Sequence, residues 1–159
     1  KGANVMNMAA LIQKTIAQAK KNDDLAQSAA ILEEASNATL ELTMFFAQAG
    51  KAGDFLLPIL NACKFLELFG DVIVGHLLIE AAGVASAKLA AIYEAQGATT
   101  PGKQKGLQRS DKEAAFYSGR IASAKFFAVE ILTTVKARCE AIKMGDKSPL
   151  EITDEAFAW

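Results

Sequence analysis

Apolar residues recur at steps of three and four along nearly the whole chain, which is the period of helices rather than strands. The first such stretch, residues 3–21, sets Val5, Met8, Ile12, Ile16 and Ala19 on one side. Asn4 is its candidate N-cap, and Lys20 and Lys21 suit the negative end of its dipole. A second stretch, 25–48, carries Leu25, Ala29, Leu32, Ala35, Leu40, Met44 and Ala47, with Glu33, Glu34, Asn37 and Glu41 opposite. Gly50 is placed to cap its C-terminus.

The third stretch, 55–96, is the most apolar. Pro58 puts its regular part at Leu57 or later. Within FLELFGDVIVGHLLIEAAGVASAKL (Phe65–Leu89) the expected stripe is Phe65, Leu66, Phe69, Ile73, Leu77, Glu80, Val84 and Leu89. Val72, Val74, Leu78 and Ile79 lie off that stripe, so the helix is expected to be covered on more than one side. Leu77→Ala is then expected to cost about 2–5 kcal/mol. Gly70, Gly75 and Gly83 mark either close crossings or bends. Residues 97–109, GATTPGKQKGLQR, read as a long loop. Ser110–Asp111–Lys112–Glu113 then has the S-x-x-E pattern of a capping box, opening a fourth helix over 111–144. Its inner face is Tyr117, Ile121, Ala124, Ala128, Ile131, Val135, Cys139 and Ile142, with a small-residue patch at Gly119, Ala122 and Ser123. The tail, 146–159, is extended, with Ile152, Phe157 and Trp159 as apolar anchors.

These elements predict an all-α fold, an antiparallel four-helix bundle with two long C-terminal helices, in one domain over 1–159. With 159 residues and 52% hydrophobic content the chain can bury a core unaided. Seventeen Lys and Arg against 18 Asp and Glu leave no field to attract nucleic acid. No apolar run reaches the roughly 18 uncharged residues of a membrane span, and no secretory leader is visible. A soluble, cytoplasmic protein is the expectation. Cys63 and Cys139 read as structural thiols. The chain opens on Lys1, as a segment cut from a longer polypeptide or freed of a tag would.

Candidate chemistry is sparse. His76 is the only histidine; a contact with Glu80 one turn on is geometrically available, but a histidine satisfied within a crowded helix face is the simpler reading. Neither a catalytic triad nor a di-iron site has its residues, and nothing specific supports haem ligation. Lys64, Glu67 and Asp71 share a helical face and read as a solvated ion-pair stripe. Lys103, Lys105 and Arg109, with Lys112 beside them, could contact a phosphate or an acidic patch on another domain, although a solvated flexible loop is the simpler reading. No catalytic, cofactor-binding or metal residue is assigned.

The Phe65–Leu89 stretch, together with AFYSGRIASAKFFAVEILTTVKARCEAIKMGDKSPLEITDEAF (Ala115–Phe157), resembles the helical C-terminal extension of long-form acyl-CoA dehydrogenases, flavoenzymes that oxidise an acyl-CoA thioester to the enoyl-CoA. The resemblance implies FAD in the parent enzyme and a catalytic core upstream. In that family the base is a glutamate in a Tyr-Glu-Gly-Thr type of motif. Tyr93–Glu94–Ala95 lacks the Gly-Thr and lies in the wrong helix, so Glu94 is not given that role. A Leu-Pro step of the relatives is Leu132–Thr133 here, which predicts a straighter last helix. The implied function is a non-catalytic domain packing on the core of the same polypeptide or across a homo-oligomer interface. Candidate interdomain contacts are Phe126, Phe127, Phe157 and Trp159, and the partner surface is expected to include Phe45, Phe46, Phe126 or Phe127, since adjacent aromatic pairs cannot both face one bundle interior. The alternative is a free-standing helical adaptor.

Overall fold

The structure, a computed structural model, describes residues 3–158. All regular structure among them is helical: α1 (Ala3–Ala19), α2 (Ala26–Lys51), the one-turn α3 (Leu56–Leu60), α4 (Ala62–Ala95), α5 (Pro101–Ser110), α6 (Lys112–Phe127), a π-helical turn (Ala128–Leu132), α7 (Thr133–Lys143), and 3-10 turns at Ser148–Leu150 and Asp154–Phe157.

Ion pairs fix the relative directions. Lys125, Lys136 and Lys143 reach Asp24, Glu34 and Glu41 in the same order, so α6–α7 runs alongside α2 in its own direction. Arg138 reaches Asp71 at 2.8 Å while Leu132 abuts Gly75, so α4 runs the opposite way. Asn22 donates to Ser86 Oγ at 2.8 Å, which ties the α1–α2 turn to the far half of α4. Near the start of α1, Val5 and Met8 share a small cavity with Phe69 and Val72 of α4. One contiguous core takes Ile12 and Ile16 from α1, Leu32 and Leu42 from α2, Leu68, Val72 and Ile79 from α4, and Leu132, Val135 and Cys139 from the last helical segments.

The boundaries follow local chemistry that the pattern left open. The first helix stops at Ala19, and Asn4 lies inside it rather than capping it. The second runs on through Gly50 to Lys51; the left-handed residue is Gly53, at φ +85°, and the Asp54 amide closes the turn onto Ala49 O at 2.9 Å. Pro58 sits inside α3, and the backbone breaks at Asn61 before α4 begins. The expected loop at 97–109 is largely helix. Thr100 caps α5 by accepting from the Lys103 amide, and Pro101 occupies the first turn, where its missing N–H costs nothing. The cap of α6 is Asp111, not Ser110: its carboxylate accepts from the Ala114 amide at 2.8 Å, whereas the Ser110 hydroxyl bonds back to Gly106 O.

The two long helices differ from expectation in a way that matters for packing. On α4 the buried residues are Leu68, Val72, Gly75, His76, Ile79, Ala82, Ala85 and Leu89. Leu66, Leu77 and Val84, expected inside, face outward. A helix apolar nearly all round carries no net amphipathic signal, so its period could not choose the face. The large cost expected for Leu77→Ala therefore belongs to Ile79. In the last helix Leu132, not Ile131, is fully buried, and Ala128–Leu132 forms a π turn rather than straight α-helix. Thr133 and Thr134 hydroxyls donate back to Val129 O (2.6 Å) and Ile131 O (2.8 Å) around it, a bonding that competes with the ordinary backbone ladder. Close approach occurs at Gly75, where an added Cβ would lie 2.7 Å from Leu132 Cδ1; Gly70, Gly83 and Gly119 have nothing within 4 Å.

Candidate interdomain surface

The aromatic residues separate into buried and outward groups. Phe45 and Phe46 are both half-buried against the core, and Phe46 meets Phe65 edge-on with ring centroids 5.5 Å apart. Together with Phe69 they join the end of α2 to the start of α4. The adjacent rings thus share the partly covered interior edge, instead of one of them lying free. Phe127 also packs against the core, whereas Phe126 is 67% exposed. A charge at Phe127 would therefore disturb the packing of α6 on its neighbours. Phe157 is 73% exposed on the second 3-10 turn, and Trp159 lies outside the described residues.

The tail is tied down at its start. Lys147 reaches Asp54 at 2.6 Å and, chiefly through that hydrogen bond, holds the Asp54 carboxyl below the ordinary aspartate range. Asp146 accepts from the Ser148 amide (2.9 Å) and hydroxyl (3.0 Å), and these bonds lower its pKa. Beyond them Leu150 is exposed, and of the expected anchors Ile152 and Phe157 are exposed rather than docked on this chain's own helices.

Lys103, Lys105 and Arg109 are all exposed on or near one turn of α5, and none takes part in an ion pair among the described residues. Lys105 and Arg109, four residues apart, share a face; Lys103 lies across the helix from them. The Lys64–Glu67–Asp71 stripe acquires a partner that sequence spacing could not supply. Arg138 of α7 donates to Asp71 at 2.8 Å and to Glu67 at 3.2 Å, across the helix pair. The groove beside this fork, about 420 Å³, is bordered by Lys64, Arg138, Asp146 and Pro149. Its charges are already paired or solvated, and nothing there places a nucleophile beside a base.

His76 is buried, its Nδ1 has no hydrogen-bond partner, and it makes no bond to Glu80, which faces solvent. The crowded-face reading holds, except that the ring is not satisfied. Glu94 is exposed at the end of α4. Among the described residues no cluster of His, Cys, Asp or Glu is arranged to hold a metal. Cys63 is exposed, and Cys139 is buried, its thiol pushed up by desolvation against a lowering contact with Thr39.

What remains is a helical module in which Arg138, Asp71 and Glu67 are engaged in ion pairing and the basic residues of α5 are exposed, with apolar residues turned outward. The family described as "Acetyl-CoA dehydrogenase C-terminal like" matches residues 8–153, and the chain belongs to it. It is 28% identical over 138 residues to a butyryl-CoA dehydrogenase of Syntrophomonas wolfei, covering 87% of this chain and 20% of that protein. It is 30% identical over 162 residues to the broad-specificity linear acyl-CoA dehydrogenase FadE5 of Mycobacterium tuberculosis, covering 99% of this chain and 24% of that protein. The chain thus spans between a fifth and a quarter of the length of these curated relatives.

Proposed function

We propose that this chain is the non-catalytic C-terminal domain of a cytoplasmic, FAD-dependent acyl-CoA dehydrogenase, packing on the catalytic core of the same polypeptide within a homo-oligomer. The observation that carries this reading is the family match over 8–153 in a chain that corresponds to only 20–24% of two acyl-CoA dehydrogenases. Flavin binding and thioester oxidation then belong to the rest of the polypeptide, and none of the described residues is assigned to either.

The role of the segment is architectural. We read its four long helical runs, α1, α2, α4 and α6–α7, as one antiparallel four-helix bundle. The ordered ion pairs between α2 and α6–α7 and the Arg138 fork to α4 support that arrangement. A stiff bundle suits a part that holds other surfaces in place. Its thermodynamic contribution to the parent would come from apolar area covered at the junction, at about 25 cal/mol per Å².

The test is the intact mass and flavin content of the native polypeptide that carries this sequence. A flavin-bearing chain several times heavier than 16.9 kDa is expected. A native chain of about that mass would overturn the reading in favour of a free-standing adaptor.

A further inference from the structure

The most apolar helix of the chain is also the least covered for its composition. An 18-residue window of α4 is apolar enough by length and composition to cross a membrane, yet only 39% of that window is buried. The uncovered residues are not scattered. Leu66, Leu77 and Val84 are 71%, 53% and 61% exposed, and their spacing puts them on one side of the helix, opposite Leu68, Val72 and Ile79. From Leu66 to Val84 the stripe is about 27 Å long. Gly70 lies on the same side and has nothing within 4 Å, which leaves a flat spot for close approach. Leu11 of α1, also exposed, extends the patch sideways, because Thr15 and Gln18 on its side of α1 border the same groove as Glu80 and Val84. Glu80 interrupts the stripe, and Lys88 lies one turn past its end; neither forms an ion pair among the described residues.

We infer that this outward face of α4 is the surface on which the catalytic core of the parent polypeptide packs, an inference that rests on the functional reading above. A continuous apolar stripe of this kind marks an interaction surface rather than ordinary solvent-facing helix. The occupant follows from proportion and tethering. The relatives carry roughly three to four times as much chain outside the matched part as within it. Residues on the same polypeptide are held near the face at a high effective concentration, while a second copy must be gathered from solution. The matching face on the core is therefore apolar and helix- or sheet-flat opposite Gly70, with polar groups opposite Glu80 and Lys88.

The experiment places the photo-crosslinking residue p-benzoylphenylalanine at Leu77 or Val84 in the parent polypeptide, with Met44, an exposed residue of α2, as control. Cross-linked peptides are identified by mass spectrometry. Attachment of 77 and 84 to residues outside this chain, with Met44 unattached, is expected. Attachment to this chain's own sequence in a second molecule, seen as a covalent dimer on denaturing gels, would assign the face to a second copy and overturn the inference; so would attachment confined to the neighbouring α1 residues that border the same groove, or failure of both positions to cross-link to protein. A companion measurement follows thiol labelling of Val84→Cys by peptide mass. Labelling of Val84→Cys at least about tenfold slower than that of Met44→Cys, both in the parent, is expected, since the two sites are similarly exposed in this chain alone, and equal rates would overturn it. The flavin absorbance of the same preparation reports separately: a parent without flavin removes the functional reading, whereas a flavin-bearing parent with an open α4 face removes only this one.

Discussion

Replacing Gly75 with alanine sets two effects of known size against each other. In a helix interior, alanine is favoured over glycine by about 0.8–1 kcal/mol. At Gly75, however, the new Cβ would lie 2.7, 3.0 and 3.2 Å from Cδ1, Cδ2 and Cγ of Leu132. Leu132 is fully buried in the π turn, so its side chain must shift within the core to admit that methyl. Overpacking of that kind costs about 1–3 kcal/mol, so the net change is a loss of roughly 0–2 kcal/mol. Gly70 and Gly83 lie on the same helix with nothing within 4 Å, so there alanine should stabilise by up to about 1 kcal/mol. The separation between Gly75→Ala and Gly70→Ala is therefore about 1–3 kcal/mol, or some 2–10 °C in Tm. Urea unfolding of the isolated chain measures it. A double-mutant cycle sharpens the test. Leu132→Ala alone should cost about 2–5 kcal/mol through the cavity it leaves, and the Gly75→Ala methyl should fill part of that cavity, making the pair less damaging than the sum. Equal stabilities for Gly70→Ala and Gly75→Ala, or strict additivity with Leu132→Ala, would refute the close crossing.

Three further outcomes follow from burial and charge. In the isolated chain Leu77→Ala should change stability by under about 1 kcal/mol, whereas Ile79→Ala should cost about 2–5 kcal/mol; chemical denaturation of both variants checks the face assignment, and the reverse order would refute it. A thiol reagent should modify Cys63 rapidly and Cys139 only on the timescale of unfolding, since one is exposed and the other buried with its thiol pushed up; two fast thiols would contradict the packing of α7. The Lys147 hydrogen bond depresses the Asp54 pKa, so its contribution is present above the ordinary aspartate range and is lost as pH falls through the depressed value. An NMR titration of Asp54 should move upward in Lys147→Met, and an unchanged midpoint would remove that tether.

The all-helical character and the long helical runs were legible because each amphipathic stretch repeats its apolar positions with a clear polar side. The inner face of the last helix was read almost correctly for that reason, with Ile121, Ala124, Val135 and Cys139 all buried. The inner face of α4 was not, because apolar residues on every side leave the period without a direction. The α5 helix was hidden by two glycines and a proline, although Thr100–Pro101 supplies both its cap and its first turn. The π turn was unreadable because no apolar spacing marks it: the Thr133 and Thr134 hydroxyls bond back within their own helix, and the seat of Leu132 against Gly75 is set by packing between helices. For the candidate surface, the pairing of Arg138 with Asp71 and Glu67 spans sequence separations of 67 and 71 residues, and no local spacing signals it. The outward apolar stripe was present in the sequence as an excess of apolar residues on one helix, but only packing shows which of them are left over.

The most direct test of a non-catalytic domain within an acyl-CoA dehydrogenase is an anaerobic reductive titration. The parent polypeptide and the isolated 159-residue chain are each mixed with saturated acyl-CoA thioesters while flavin absorbance and enoyl-CoA formation are followed. The account predicts flavin bleaching with enoyl-CoA formation in the parent, and neither flavin nor product with the isolated chain. A parent that carries no flavin, or an isolated chain that itself forms enoyl-CoA, would contradict it.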